Sequence, residues 1–199
     1  MEKYRGIKFT TQNTGNYFEV DEQLTRVNKW VHTFGELGLA PVHPEGAYGN
    51  HSYRVKENQF VITRTGMIPR EPLVESDYCL VCYNENRGVF TTKGLHQPSS
   101  ECFLHHHIYS SFPQVKVILH GHSSLLNKYA AQLNISETGK EYPYGTTELA
   151  HAAVDLLKTS NTNFFILKNH GFVCLGDDID SAAALVLDYY SRLLQIISP

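Results

Sequence analysis

Long hydrophobic runs are missing from this 199-residue sequence. The opening stretch MEKYRGIKFTTQNTGNYF is polar and has no apolar segment of the kind a secretory leader needs. The most apolar late stretch, AAALVLDYYSRLLQII, is interrupted by Asp188 and Arg192 and is too polar for a membrane span. Basic charge is also missing. The formal net charge is −3 and the lysines and arginines are scattered, which excludes the electrostatic footprint of a nucleic-acid binder. No repeat, low-complexity tract or linker rich in proline, glycine and serine divides the chain. One soluble, cytoplasmic domain over residues 21–199 is therefore expected, with residues 1–20 as an N-terminal extension.

Cysteine is scarce too, with four residues. Cys79 and Cys82 spell C-x-x-C within DYCLVCYN, a spacing used by redox and zinc sites. That stretch has strand composition, however, and positions i and i+3 of a strand face opposite sides. The pair is expected to be structural, and Cys102 and Cys174 to be small core residues. A chain of this length buries a core without disulfide staples.

The apolar pattern sets out the elements that are present. Leu24, Val27, Trp30, Val31 and Phe34 recur at helical spacing, so a helix is expected from Asp21 to Leu39. AYGNHSYR leads by a turn into a strand, QFVIT is its partner, and YCLVCYN and GVFTT form a second hairpin around ENR. RTGMIPREP is a loop. A helix follows QPSSE, and Ser123 starts a short one. Thr146 or Thr147 caps a further helix in PYGTTELAHAAVDLLK. NFFILKNHG and FVCLG are strands, and the last helix covers DIDSAAALVLDYYSRLLQIIS. Paired short strands interleaved with helices predict a mixed α/β domain with a largely antiparallel sheet.

Chemistry collects at the ends of apolar strands. KVILHGHSSL ends a buried-looking strand in His-Gly-His, and the two-residue repeat of a strand turns His120 and His122 to one side. Their Cα atoms should lie roughly 6–7 Å apart. Two imidazoles so placed can share one metal ion, or can be ordinary strand-end histidines. ILKNHGF ends a second apolar strand in His170, either a turn residue or a third ligand. Three neutral imidazoles would leave a zinc-like ion an open coordination position.

In HQPSSECFLHHHIY, Ser99 and Ser100 are expected at a helix N-cap, as plain caps or as the seat of an anion on unpaired N–H groups. Glu101 then falls in the first turn, where a carboxylate suits the macrodipole or serves as a base. His105, four residues on, shares its helix face and is a candidate to orient it. His106 and His107 are expected to be solvated or packing residues. GNHS and TRTG, with Asn50, Thr65 and Gly66, have ordinary turn compositions.

Taken in order, G-N-x-S (Gly49 to Ser52), T-x-T-G (Thr63 to Gly66), P-S-S-E (Pro98 to Glu101), H-x-H-S (His120 to Ser123), Y-G-T-x-E-L (Tyr144 to Leu149) and N-H-G (Asn169 to Gly171) resemble the class II aldolase/adducin family. The resemblance runs from about Leu24 to Leu194. It implies a three-layer α/β/α domain, a homotetramer with sites between subunits, and one divalent metal per chain, commonly zinc, on His120, His122 and His170. It also implies that Asn50, Thr65, Gly66, Ser99 and Ser100 hold a substrate phosphate and that Glu101 is the acid/base. The activity implied is fuculose-phosphate aldolase-like: a phosphorylated ketose is cleaved through a metal-stabilised enediolate. The carbanion of an aldol cleavage needs such a Lewis acid near neutral pH, and the phosphate supplies remote binding energy and orientation.

The family also holds 4-epimerases, dehydratases, decarboxylases and adducin-like interaction proteins. Glu101, rather than aspartate, fits the aldolase branch better than the epimerase branch. The segment between His122 and Tyr144 is short and lacks the stretch that supplies a tyrosine acid in the aldolases. Tyr142 and Tyr144 are expected to pack rather than replace it, and no tail beyond Pro199 is expected to reach a neighbour's site.

Overall fold

The computed structural model describes residues 6–69 and 73–198. Within the expected loop RTGMIPREP, residues 70–72 lie outside the described residues.

Nine strands form one sheet, named here in chain order: β1 (Thr11–Asn13), β4 (Asn50–Lys56), β5 (Gln59–Thr63), β6 (Tyr78–Asn84), β7 (Val89–Lys93), β8 (Val117–Gly121), β9 (Ser136–Glu137), β10 (Phe164–Leu167) and β11 (Gly171–Gly176). The spatial order is β1-β7-β6-β5-β4-β8-β11-β10-β9, and β2 (Val42–His43) pairs with β3 (Gly46–Ala47) in a separate small hairpin. Every pairing in the large sheet is antiparallel except β1 with β7 and β9 with β10. Thr11–Asn13, within the stretch set apart as an extension, thus form an edge of the sheet.

Among the described residues, five α-helices cover the two faces: α1 (Glu22–Glu36), α2 (Cys102–Ser111), α3 (Ser124–Lys128), α4 (Thr147–Thr159) and α5 (Ile179–Ile197). Strand alternation divides the core between them. Val117, Leu119, Phe164 and Ile166 face one apolar cluster with α1, α3 and α5. Ile118, Phe165 and Leu167 face the other with α2 and α4. The result is the expected three-layer α/β/α domain. β8 is buried at every position, which is why Val117–Leu119 show no polar alternation.

The helices start where their sequences provide caps. Asp21 accepts a hydrogen bond from the Gln23 N–H (3.0 Å), and α1 buries Leu24, Val27, Val31 and Phe34 at helical spacing. Each such side chain contributes about 1.5–3 kcal/mol on burial. Of the two threonines at α4, Thr146 is the cap, and its hydroxyl accepts from Leu149 N–H (3.3 Å).

α2 departs from expectation. It begins at Cys102, with Glu101 rather than a serine in the cap position and no side-chain cap bond. The cause lies just upstream: Pro98 bridges to Arg64, and the Ser99 N–H donates to the Thr63 carbonyl (3.0 Å). The chain is thereby held beside the end of β5 until residue 99, so Ser99 and Ser100 form the turn that enters the helix.

The four cysteines are free. Cys79 is buried in the α2/α4 core, and burial pushes its thiol up to about 12, far from a reactive thiolate.

Candidate active site

The antiparallel order brings distant motifs to one end of the sheet. β8 ends where its neighbours β4 and β11 begin, and β5 ends beside the start of β4. His120 therefore sits opposite Asn50 on one side and Val173 on the other. His122 lies just past β8, its N–H tied to the Leu39 carbonyl (2.8 Å). His170 occupies the tight turn between β10 and β11.

Two glycines allow the approach. A Cβ at Gly171 would overlap the Gly121 carbonyl oxygen and stand 2.9 Å from His120 Cε1. A Cβ at Gly121 would strike the Phe172 ring and come within 2.6 Å of the Leu39 carbonyl oxygen. The glycines of His-Gly-His and Asn-His-Gly are thus required by crowding around the histidines.

One ligand atom from each of His120, His122 and His170 lies within 4.8 Å of the others. His120 Nδ1 donates to the Phe172 carbonyl (2.7 Å), which fixes the tautomer and leaves a lone pair on Nε2. That lone pair faces His122 Nε2 at 3.2 Å and Glu101 Oε2 at 3.1 Å. Glu101 Oε1 is 3.4 Å from His170 Nε2. Despite this proximity, neither Glu101 oxygen nor His122 Nδ1 makes a hydrogen bond among the described residues. Burial holds His120 and His122 toward the neutral, ligating form. A buried carboxylate without hydrogen bonds beside three converging imidazoles fits a cation there, and three imidazoles suit a borderline-soft divalent ion.

The residues expected to hold a phosphate adjoin this cluster. Asn50, Thr65, Gly66, Ser99 and Ser100 all line the same cleft as Glu101 and the three histidines. The Ser99 hydroxyl accepts from the Glu101 N–H (3.3 Å), so this serine shapes the turn as well as facing the cleft.

The His105 imidazole makes no hydrogen bond to the Glu101 carboxylate. Its Nε2 donates to Asn50 Oδ1 (2.6 Å), and its Nδ1 accepts from the Ser52 hydroxyl (2.6 Å). Ser52 in turn accepts from the Tyr109 hydroxyl (2.8 Å). Asn50 and Ser52 share one face of β4, and α2 packs on that face, so His105 meets the strand before it can reach the carboxylate. Burial keeps this imidazole neutral. The chain of bonds fixes the Asn50 carbonyl inward and leaves its NH₂ as the donor for the cleft.

Several lining residues carried no signal in the sequence. Tyr48 stacks on His122 (ring centroids 5.0 Å apart, planes at 26°). Glu141 accepts from Asn169 Nδ2 (3.0 Å), beside the cluster. Arg64 also lines the cleft, although only neutral donors were expected at the anion end. Its position inside T-R-T-G was visible, but nothing in the sequence showed where the side chain turns. Tyr142 packs against the α2/α4 core and the Tyr144 hydroxyl donates to the Gly6 carbonyl (3.1 Å), though both also border the cleft.

Fold and site together define a three-layer α/β/α protein with a histidine cluster in a polar cleft at one end of its sheet. Residues 29–196 match the model of the Class II Aldolase and Adducin N-terminal domain. The chain is 33% identical over 168 residues to an L-fuculose phosphate aldolase of Methanococcus vannielii, which covers 76% of this chain and 86% of the relative. A methylthioribulose-1-phosphate dehydratase of Serratia proteamaculans is 32% identical over 103 residues, 52% of this chain and 46% of the relative. A solved L-fuculose 1-phosphate aldolase shares the fold, with a TM-score of 0.72 at 21% identity over 89% of this chain and 85% of that one. The chain belongs to the class II aldolase and adducin family, and within it is an enzyme of the aldolase/lyase type.

Proposed function

We propose that the protein is a metal-dependent lyase that cleaves a phosphorylated ketose by an aldol-type reaction. The observation that carries this reading is the convergence of ring nitrogens of His120, His122 and His170 beside the Glu101 carboxylate, whose oxygens make no hydrogen bond among the described residues. His120, His122 and His170 would hold the ion. When bound, it supplies Lewis-acid polarisation of the substrate carbonyl.

The chain's own residues do the rest. Asn50 NH₂, the Thr65 and Ser100 hydroxyls and the backbone N–H groups of Gly66 and Ser100 bind and orient the phosphate. The reacting carbons are thereby placed beside the cluster. Glu101, buried and without a hydrogen-bond partner, moves the proton at the carbon next to the carbonyl. Three imidazole donors favour zinc, one ion per chain. The family resemblance supports a homotetramer, and a polar N-terminal stretch and free cysteines are consistent with a cytoplasmic setting. All three histidines and Glu101 are in place, which argues against an adducin-like, non-catalytic role.

A second reading, dehydration of a related sugar phosphate, is supported by the match to the Serratia dehydratase. A product-resolved screen of phosphorylated ketoses and sugar acids with metal-loaded protein tests both. Release of an aldehyde and a shorter phosphorylated ketone supports aldol cleavage. Loss of water with an intact carbon chain supports the second reading, and no turnover of any phosphorylated ketose removes both.

A further inference from the structure

The geometry points to Arg64 as a specificity-determining residue that supplies the positive charge of the anion end. The inference deepens the phosphate reading of the cleft and rests on it.

The cleft lining is otherwise acidic. Glu45, Glu101 and Glu141 face it, and Arg64 is the one lysine or arginine among the described lining residues. Neutral donors alone would have to seat a dianion against those carboxylates. Arg64 lies directly behind the seat. Its Nη1 donates to the Thr65 carbonyl (3.0 Å), and a Cβ built on Gly66 would stand 3.7 Å from the same nitrogen. The guanidinium therefore runs alongside the 65–66 turn that lines the cleft.

The backbone of Arg64 is pinned from both sides. Its N–H donates to the Asp77 carbonyl (2.9 Å), and the residue bridges to Pro98. Its side chain is oriented by Asp77, whose Oδ1 accepts from Nε (3.1 Å) and whose Oδ2 accepts from the Val74 N–H (3.1 Å). Asp77 is 2% exposed and does not line the cleft, whereas the Arg64 side chain is 20% exposed and does. The pair is thus an oriented dipole, with its carboxylate in the protein and its cation toward the anion seat. A planar guanidinium stays charged at every working pH and can hold Asp77 with one edge while another faces the turn.

The test separates charge at the seat from simple neutralisation of Asp77. Binding of inorganic phosphate is measured by calorimetry for the wild type, Asp77→Asn, Arg64→Lys, and the double variant Arg64→Met with Asp77→Asn, which leaves no buried carboxylate unpaired. Phosphate affinity should fall about tenfold in the double variant, in keeping with one charge lost a few ångströms from a partly solvated anion. It should stay within about threefold of wild type in Asp77→Asn and Arg64→Lys, which keep the cation. With a phosphorylated substrate, the double variant should raise KM by a similar factor while kcat changes less than about twofold, the pattern of uniform binding. Wild-type phosphate affinity in a folded double variant overturns the role of Arg64 and leaves the phosphate seat standing. Equal weakening in Asp77→Asn and the double variant also overturns it, because the pair would then act only through structure. A wild-type protein that binds no phosphate removes the seat and this inference together.

Discussion

Two groups of histidines lie close together in this protein, and they differ in what their nitrogens face. His120, His122 and His170 turn ligand atoms toward a common point, with His120 locked by the Phe172 carbonyl. His106, His107 and His151 cluster just as tightly by ring distance, at 5.2 Å and 4.8 Å between successive centroids. Yet His106 packs between Tyr83 and Phe90, and His107 meets Phe103 and His151 across the α2/α4 contact. Proximity of imidazoles is common wherever aromatic side chains pack. What marks a metal site is convergence of unprotonated nitrogens, a fixed tautomer, and buried acceptors with nothing else to bind.

The sharpest way to break this contrast is to remove one ring from each group. His122→Ala should lower metal affinity by more than the roughly 10–100-fold typical of outer-shell changes, and should abolish turnover. His107→Ala should leave metal content at wild-type stoichiometry by elemental analysis. Full metal retention in His122→Ala would end the assignment of the triad.

Glu101→Gln tests the next largest effect. The amide keeps the shape of the side chain but cannot accept a proton, so kcat should fall about 10²–10⁴-fold with metal content near normal. Turnover at the wild-type rate would take Glu101 out of the chemistry.

His105 belongs to neither group, and His105→Leu separates positioning of Asn50 from positioning of Glu101. Unfolding free energy should drop by about 1–3 kcal/mol as buried partners lose their bonds. Phosphate binding should weaken several-fold while metal content is unchanged. A loss of kcat with intact phosphate affinity would instead restore the link to Glu101 suggested by helix spacing.

The smallest effect concerns acid stability. Burial, reinforced by His107, pushes His106 down to about 4. The unfolded chain, with an ordinary histidine near 6.5, takes up that proton first. The stability contribution is therefore complete above about pH 6.5 and is lost progressively as pH falls toward 4. His106→Leu should change stability at pH 7 by less than about 1 kcal/mol but flatten its decline across that window, as read from urea unfolding at several pH values. An unchanged slope would show that His106 does not titrate with unfolding.

Much of this architecture was legible before any coordinates. Apolar spacing located α1, and Asp21 marked its start within one residue. The apolar positions of KVIL marked a buried strand, and alternation correctly placed His120 and His122 on one side. The pairing of β1 with β7 was not legible, because three residues of TQN carry no periodic signal and become a strand only where an edge is available. Nor was the late start of α2, since a hydrogen bond between Ser99 and Thr63 joins segments 36 residues apart and cannot be inferred from local preference.

The sequence by itself determined the donors: three histidines at strand ends, a glutamate after paired serines, and glycines where the backbone must crowd. These follow from residue type and short-range spacing, which the two-residue repeat of a strand converts directly into direction. Only the tertiary structure decided who faces whom. It turned the His105 ring to Asn50 rather than the Glu101 carboxylate, placed Arg64 against the 65–66 turn in the cleft, and left the Glu101 oxygens without hydrogen bonds beside the cluster. Those outcomes depend on antiparallel register and on which helix covers which face, and both are set by contacts between residues far apart in the chain.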